Sequence, residues 1–126
     1  MTGVQTCALP ICGIQEEISQ GAGRIAGTLG LDNLIMFYDA NNIQLSTTVG
    51  EVTTENVAMK YEAWGWKVIT INGNDVTEIR RALTEAKAET SRPTLIIGNT
   101  IMGKGDRKST RLNSSHPSSS RMPSSA

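Results

Sequence analysis

The sequence predicts an α/β protein, built as a partial doubly wound parallel sheet with helices on both faces. Three short and continuous apolar runs have the pattern of strands that are buried on both faces. Each run follows a segment whose apolar residues recur at the spacing of an amphipathic helix. Helices that alternate with strands imply right-handed crossovers and therefore a parallel sheet. Because sheets usually contain roughly four to six strands, we expect three strands to be part of a larger domain.

The first helix is predicted to begin near Ile14 and to end before Gly30, which suits a helix C-terminus. Its apolar positions lie on one helical face, and they are Ile14, Ile18, Ala22, Ile25 and Leu29. Gly21, Gly23 and Gly27 each cost an isolated helix about 1 kcal/mol relative to alanine. We therefore expect a neighbouring helix or another subunit to pack very close to this helix.

The first strand and the second helix follow. A continuous apolar run at Leu34–Tyr38 predicts the strand, and residues 39–42 form a polar loop at its carboxyl end. Thr54 is placed to cap a helix over residues 55–64, and Gly65 to end it.

The last third of the domain repeats this alternation. The second strand covers Trp66–Ile71, and a turn follows at Asn72–Asp75. Asp75 and Glu78 have the spacing of a capping box, and the third helix is predicted from its apolar face, which comprises Val76, Ile79, Leu83 and Ala86. The final strand covers Thr94–Ile97 and leads into a glycine-rich exit at Met102–Gly105.

The formal net charge of zero, from 12 basic and 12 acidic side chains, conceals two unlike parts. Residues 13–105 carry eight basic and eleven acidic side chains, a net charge of −3, whereas residues 106–126 have a net charge of +3. Nucleic-acid binders and membrane-surface proteins usually have a basic excess, so the balance argues against both classes of partner. No apolar run approaches the ~20 residues that span a bilayer.

Both ends are expected to lie outside the folded domain. Gly3–Ile11 and Arg107–His116 resemble translated sequencing-library adapter, so we divide the chain into a non-native leader (1–12), a domain (13–105) and a non-native, disordered tail (106–126). The alternative is a natural basic tail that binds an anionic partner. The domain contains no cysteine and the leader lacks the basic start of a signal peptide, which favours a reducing cytoplasm.

Polar residues after the first strand are the main candidates for a ligand site. In open parallel sheets, ligands bind beyond the carboxyl ends of the strands, and Asp39, Asn41, Asn42 and Ile43 have that position. Amide and backbone carbonyl oxygens are suitable ligands for a hard cation such as Mg²⁺. An Asn-Asn pair after a strand is also ordinary turn chemistry, so the local pattern leaves both interpretations open.

Two further motifs are weaker. Glu16 and Glu17 are expected in the first turn of the first helix, where the helix dipole favours negative charge. The Gly-Lys-Gly run at 103–105 would allow close approach to a phosphate but lacks the full P-loop spacing. Because residues 13–105 contain neither histidine nor cysteine, a Ser/His/Asp or Cys/His catalytic arrangement is excluded there.

Seven blocks within residues 13–105 carry a family resemblance. They occur in order without an evident gap, and they are Gln15–Gln20, Ala26–Leu29, Leu34–Ile43, Tyr61–Trp66, Ile71–Asp75, Pro93–Ile97 and Thr100–Gly105. Together they closely resemble transketolase in its thiamine-diphosphate-binding N-terminal region. The resemblance implies an enzyme that moves two-carbon ketol units between sugar phosphates and that is a homodimer at full length. The cofactor, thiamine diphosphate, would supply the covalent chemistry, and the protein would position it.

The resemblance also implies roles for four residues. Asn41 and the backbone carbonyl of Ile43 match two protein ligands of the family's metal, Mg²⁺ or Ca²⁺. Asn41 and Leu45 match cofactor-binding positions, Leu45 as an apolar residue near the thiazolium ring. Glu16 matches a catalytic glutamate at the subunit interface that helps to relay protons.

The sequence departs from the family at the metal site. The family's Gly-Asp-Gly motif falls at Pro10, Ile11 and Cys12, so the metal-binding aspartate is absent. Its loss should weaken metal binding, because Asn41 and Ile43 supply only neutral oxygens. We therefore expect a truncated transketolase fragment that is inactive as written.

Two alternatives stay open. Another thiamine-diphosphate enzyme, such as a 2-oxo-acid dehydrogenase component or a deoxyxylulose phosphate synthase, would share the Asp and Asn metal ligands. The blocks at 15–20 and 61–66 favour transketolase over these enzymes. A different class is a non-catalytic interaction fragment that uses either the acidic α/β piece or the basic tail.

Overall fold

The computed structural model describes residues 3–44, 47–48 and 53–105. In chain order its elements are β1 (Gln5–Leu9), α1 (Ile11–Gln15), α2 (Glu17–Leu29), β2 (Leu34–Ala40), β3 (Ile43–Gln44), β4 (Thr47–Thr48), α3 (Val57–Ala63), β5 (Lys67–Asn72), α4 (Val76–Ala88) and β6 (Thr94–Asn99).

Four parallel strands form the main sheet, in the order β1-β2-β6-β5. The inner strand β6 pairs with β2 on one side and with β5 on the other. Its residues 94–98 are all buried, as expected for a strand that is covered on both faces. The predicted α/β class with a parallel sheet is therefore confirmed. A separate antiparallel pair, β3 with β4, follows β2.

The main sheet has one strand more than the sequence predicted. Gln5–Leu9 pairs in parallel with β2, with Gln5 opposite Leu34, and Ile11 and Ile14 of the following helix are buried in the core. The expectation that the whole leader lies outside the folded part is thus wrong for residues 5–12. The physical reason is that the unpaired backbone N–H and C=O groups along the edge of β2 can bond to any short extended segment. Residues 5–9 supply one. The non-native origin of the leader and tail stays a prediction, and the tail lies outside the described residues.

Helices cover both faces of the sheet, as predicted. Alternate residues of β2 point to opposite faces, so Ile35 joins one core cluster and Met36 joins the other. The larger cluster is covered by α1, α2 and α3, and its buried members are Ile11, Ile14, Ala26, Met36, Tyr38, Tyr61, Trp66, Leu95 and Ile97. The smaller cluster is covered by α4, and its members are Ile35, Ile69, Ile71, Ala82, Ala86 and Ile96.

The first predicted helix is divided in two, and its buried face is not the predicted one. The backbone is extended at Glu16 (ψ 136°), which separates α1 from α2. Beyond this break Ile18, Ile25 and Leu29 are 84%, 57% and 65% exposed. The break changes the phase of the helix, so the small residues of α2 face the core in place of the predicted apolar face.

The small residues of α2 let it approach α3 and the turn that follows. The indole Nε1 of Trp66 donates a buried hydrogen bond of 2.7 Å to the carbonyl of Gly23. A Cβ built on Gly27 would lie 1.9 Å from the carbonyl oxygen of Trp64. Tyr61 packs against the rings of Trp64 and Trp66, with ring centroids 4.9 Å and 5.2 Å away. The expected close packing by a neighbouring helix is therefore confirmed.

The helix ends differ in detail from the predicted caps. Asn56, and not Thr54, caps α3, since its side chain accepts a hydrogen bond from the Met59 amide. Asp75 caps α4 as predicted, but Glu78 bonds to the amide of Asn72 at 2.6 Å and does not complete the capping box. None of the described helices is long and apolar enough to cross a membrane.

Replacement of Gly27 by alanine tests the close approach of α2. We expect Gly27→Ala to lower the free energy of unfolding by about 2 kcal/mol or more, because the methyl group overlaps the Trp64 carbonyl. Gly21→Ala is the matched control, since a Cβ there meets nothing within 4 Å, and it should raise stability by up to about 1 kcal/mol. Urea denaturation measures both, and equal effects of the two variants would contradict the packing.

A second test concerns Tyr61, which is fully buried and whose hydroxyl has no hydrogen-bond partner within the described residues. Burial, with a smaller contribution from Cys7, raises the pKa of Tyr61 to about 12. The folded state therefore holds this proton more tightly than the unfolded state, and stability should fall as the pH rises from about 10 to about 12. Tyr61→Phe should remove this part of the fall and cost no stability at neutral pH, because no hydrogen bond is lost. Urea denaturation at about pH 9 and about pH 11.5 measures the difference, and an unchanged pH dependence would exclude Tyr61 as its source.

Candidate functional site

The carboxyl ends of the four parallel strands meet on one side of the molecule. β1, β2, β5 and β6 end at Leu9, Ala40, Asn72 and Asn99, respectively. Because parallel strands point the same way, the segments that follow them share one rim, which we call the carboxyl rim. It comprises residues 10–13, 39–43, 72–75 and 99–105.

Asp39 connects the ends of β2 and β6 through its carboxylate. Its Oδ1 accepts a hydrogen bond from the Thr100 hydroxyl, and its Oδ2 accepts one of 3.2 Å from the Asn41 side-chain amide. The Asn41 Oδ1 in turn accepts a 3.0 Å bond from the Ile43 amide. Between them Asn42 adopts a left-handed conformation with φ 62°. These bonds fix which way the Asn41 carboxamide points.

Thr100 also fits against the turn that follows β5. Its amide donates to the Ala40 carbonyl at 3.3 Å, and the amide of Gly73 donates to the Asn99 carbonyl at 2.8 Å. A Cβ on Gly73 would lie 2.5 Å from the Thr100 Cγ2 atom and 3.0 Å from backbone atoms of Gly98. Glycine is therefore required at 73 for the turn to lie this close to the end of β6.

A relay of hydrogen bonds crosses the carboxyl rim from α4 to the exit of β6. Glu78 accepts from the amide of Asn72 at 2.6 Å, and the Asn72 Oδ1 accepts from the amide of Asn74 at 3.0 Å. The Asn74 Oδ1 then accepts from the amide of Ile101 at 2.9 Å. The first turn of α4 thereby fixes the backbone that leaves β6.

The carboxylate of Asp39 also acts on its neighbour in β2. Burial raises the pKa of Tyr38, and the negative charge of Asp39 raises it further. Asp39 is thus the acidic side chain at the end of this strand.

Of the residues implied by the family resemblance, Asn41 and Ile43 lie together at the carboxyl rim. Leu9 pairs with Tyr38 in parallel, so Pro10–Cys12 and the Asn41 loop follow neighbouring strands on the same rim, and helix α1 contacts β3. Glu16 is exposed at the break between α1 and α2, and its side chain makes no capping hydrogen bond. Leu45 lies outside the described residues.

The donor atoms at the carboxyl rim do not complete a divalent-metal site. Of the ligand positions that the family resemblance implies, Asn41 and Ile43 would offer neutral oxygens, and Ile11 offers only a hydrocarbon side chain that is 4% exposed. Within the described residues no group of three or more His, Cys, Asp or Glu side chains is placed to hold a metal ion. The three implied positions would therefore offer a hard cation no carboxylate, and the nearby carboxylate of Asp39 is bonded to Thr100 and Asn41.

Sequence reasoning missed two residues that organise the rim, Thr100 and Asn74. The sequence signal for Thr100 was a polar residue directly after a buried strand. Its importance depends on the register of β2 with β6, in which Ala40 pairs with Asn99. That signal needed the strand order, which the sequence did not give. Asn74 stood in a predicted turn, where asparagine is ordinary and points to no particular partner.

Replacement of Thr100 by valine tests whether the Asp39 bridge orders the Asn41 loop. Thr100→Val keeps the side-chain shape but removes the donor to Asp39, and a hydrogen bond to a charged group contributes about 1.5–3 kcal/mol. We expect hydrogen exchange at the Ile43 amide to speed up by roughly tenfold or more. Thr28→Val is the matched control, because the Thr28 hydroxyl donates to the Arg24 carbonyl within α2, away from the carboxyl rim. Equal Ile43 exchange in the two variants would show that the bridge does not order the loop.

Comparison with known proteins identifies a family for this arrangement. The family described as transketolase, thiamine diphosphate binding domain, matches residues 7–122, and the match extends into both segments that the sequence suggested to be non-native. Transketolase 1 of Pasteurella multocida is 45% identical over 93 residues, which cover 73% of this chain and 14% of that protein. Transketolase 1 of Escherichia coli is 41% identical over 104 residues, which cover 82% of this chain and 16% of that protein.

Solved structures show the same likeness. Transketolase from Campylobacter jejuni superposes with a TM-score of 0.76 at 40% identity, covering 84% of this chain and 17% of that one. Transketolase from Leishmania mexicana gives a TM-score of 0.71 at 32% identity, covering 75% of this chain and 14% of that one. The chain therefore spans only about one seventh of the length of such relatives.

Proposed function

This chain belongs to the transketolase family through its thiamine diphosphate-binding domain, and we propose that it is part of an enzyme that transfers two-carbon ketol units between sugar phosphates. The observation that carries the proposal is the parallel pairing of β1 with β2 at the carboxyl rim, because residues 10–12, where the family's Gly-Asp-Gly motif would fall, and the Asn41 loop follow these two neighbouring strands. Thiamine diphosphate, when bound, would supply the covalent chemistry, and the protein would position it.

The proposed cofactor contacts follow from the geometry of the Asn41 loop. The Asn41 Oδ1 uses one lone pair for the Ile43 amide and keeps a second for a cation. We propose this oxygen and the Ile43 carbonyl as ligands of Mg²⁺ or Ca²⁺, with Leu45 beside the thiazolium ring. Because Ile11 replaces the anionic ligand, we propose that this chain binds the metal and cofactor weakly and is inactive as written.

The exposed face of α2 supports a homodimer in the full-length enzyme. Ile18, Ile25 and Leu29 are large apolar side chains that this chain leaves exposed, and contiguous exposed apolar surface marks an interaction site. Glu16 is exposed at the start of the same helix. We therefore propose that this face meets a second subunit and that Glu16 serves there in proton relay. A reducing cytoplasm is the proposed location, since residues 13–105 contain no cysteine.

Restoration of the missing motif tests the proposed function. In the triple variant Pro10→Gly, Ile11→Asp, Cys12→Gly we expect thiamine diphosphate with Mg²⁺ to bind at least about tenfold more tightly than to the parent chain, because a carboxylate joins Asn41 and Ile43. The matched control carries Ile11→Asn in the same glycine background, so it has the same size and polarity but no charge. Isothermal titration calorimetry measures the affinities, and circular dichroism checks that each variant is folded.

Equal affinity of the Asp and Asn variants would overturn the proposed metal site. If the buried position does not tolerate aspartate, a thermal-shift titration of the parent chain gives a second reading. There the ligand should raise the melting temperature more when Mg²⁺ is present than when it is absent, and only at high concentration. A shift that Mg²⁺ does not increase would also contradict the proposal.

A further inference from the structure

The exit of β6 forms an ordered turn at the carboxyl rim. The Lys104 amide donates to the Ile101 carbonyl at 3.2 Å, which closes a turn over residues 101–104. Gly103 has φ 68°, the value that a type II turn requires at its third residue. The turn therefore has a defined shape, with Lys104 as its last residue.

Asn74 binds the backbone at the start of this turn. The side chain of Ile101 is 67% exposed, so it contributes little buried surface. The Ile101 amide is instead bound by the Asn74 Oδ1 at 2.9 Å, and Asn74 is itself held through Asn72 by Glu78 of α4. The position of the turn is thus set by a relay from the first turn of a helix.

Charge at the carboxyl rim is unevenly distributed. Among the rim residues, which are all described, Lys104 is the only basic side chain. It is exposed, and none of the ion pairs found within the described residues includes it. Gly103 and Gly105 flank it, and both have positive φ. Because glycine has no side chain, neither neighbour obstructs the approach of a ligand to Lys104.

From this geometry we propose that Lys104 binds a phosphoryl group of the ligand at the carboxyl rim, and that Asn74 is the residue that positions it. The proposal rests on the proposed function, because it places the ligand at this rim. An ammonium group is a compact point charge with three donors, which suits phosphate oxygens. Two sources of phosphoryl group fit this chemistry, the diphosphate of the cofactor and the monoester of a sugar phosphate.

Titration of the whole chain with inorganic pyrophosphate, without metal, tests Lys104 directly. Backbone amide shifts of residues 100–105 should saturate, and Lys104→Gln should weaken the affinity about fivefold or more, because a charge-assisted contact is lost. Lys87→Gln is the matched control, since Lys87 is also an exposed lysine but lies in the last turn of α4, away from the carboxyl rim. Shifts that do not saturate, or equal losses in the two variants, would overturn the proposal.

Paired ligands distinguish the two sources. If Lys104 contacts the diphosphate, thiamine diphosphate should lose affinity in Lys104→Gln while thiamine binds parent and variant alike. If it contacts the monoester, ribose 5-phosphate should lose affinity while ribose does not. If neither phosphorylated ligand loses affinity, Lys104 has no role toward the ligand. Since none of these titrations contains metal or the restored aspartate, their failure is distinct from failure of the proposed metal site.

The positioning role of Asn74 has its own test. Asn74→Ala should speed up hydrogen exchange at the Ile101 amide by about tenfold and weaken pyrophosphate binding about threefold, with Lys104 still present. Asn56→Ala is the control, because Asn56 also accepts a 3.0 Å bond from a backbone amide, that of Met59, in another loop. Loss of pyrophosphate affinity in both asparagine variants would show a general effect of stability, and unchanged affinity in Asn74→Ala would exclude positioning.

Discussion

The parallel pairing of β2 with β6 is the constraint on which the rest of the structure depends. It brings Ala40 opposite Asn99, although the two residues are far apart in the chain. The side chains at the carboxyl ends of these strands, Asp39 and Asn41 at the end of β2 and Thr100 after β6, can then bond to each other. Antiparallel pairing of the same strands would have placed them at opposite ends of the sheet, so the site exists only because of the topology.

Close backbone approach makes this topology compact. The small residues of α2 let Trp66 bond to the carbonyl of Gly23, while Gly73 lets the turn after β5 lie against Thr100. The first contact fixes a helix on the sheet, and the second closes the carboxyl rim. A methyl group on Gly27 would push α2 away from Trp64, and one on Gly73 would push the turn after β5 away from Thr100.

The sequence was sufficient for the fold class because the apolar runs and helical periodicities of residues 34–97 are strong and local. It failed for α2, where an apolar face of Ile18, Ile25 and Leu29 is exposed. Periodicity identifies an apolar face but cannot say whether the chain itself or a partner covers it. It failed also for β1, because the resemblance of residues 3–11 to adapter says nothing about whether they can pair along an open strand.

The residues of the candidate site were also predicted only in part. The general rule for parallel sheets singled out Asp39, Asn41, Asn42 and Ile43 as candidates, and the family resemblance selected Asn41 and Ile43 among them. Thr100 and Asn74 were not found, since their roles depend on which strands are neighbours and on a relay of single hydrogen bonds. Such contacts join residues that no sequence spacing relates.

We propose that this chain keeps the Asn41 half of a thiamine diphosphate and metal site and lacks the anionic half at Ile11. Calorimetric titration of the unmodified 126-residue chain with thiamine diphosphate and Mg²⁺ tests it most directly. We expect thiamine diphosphate and Mg²⁺ to bind weakly or not at all, because two neutral oxygens do not compensate for a missing carboxylate. Submicromolar affinity would contradict it and would show that the aspartate is unnecessary.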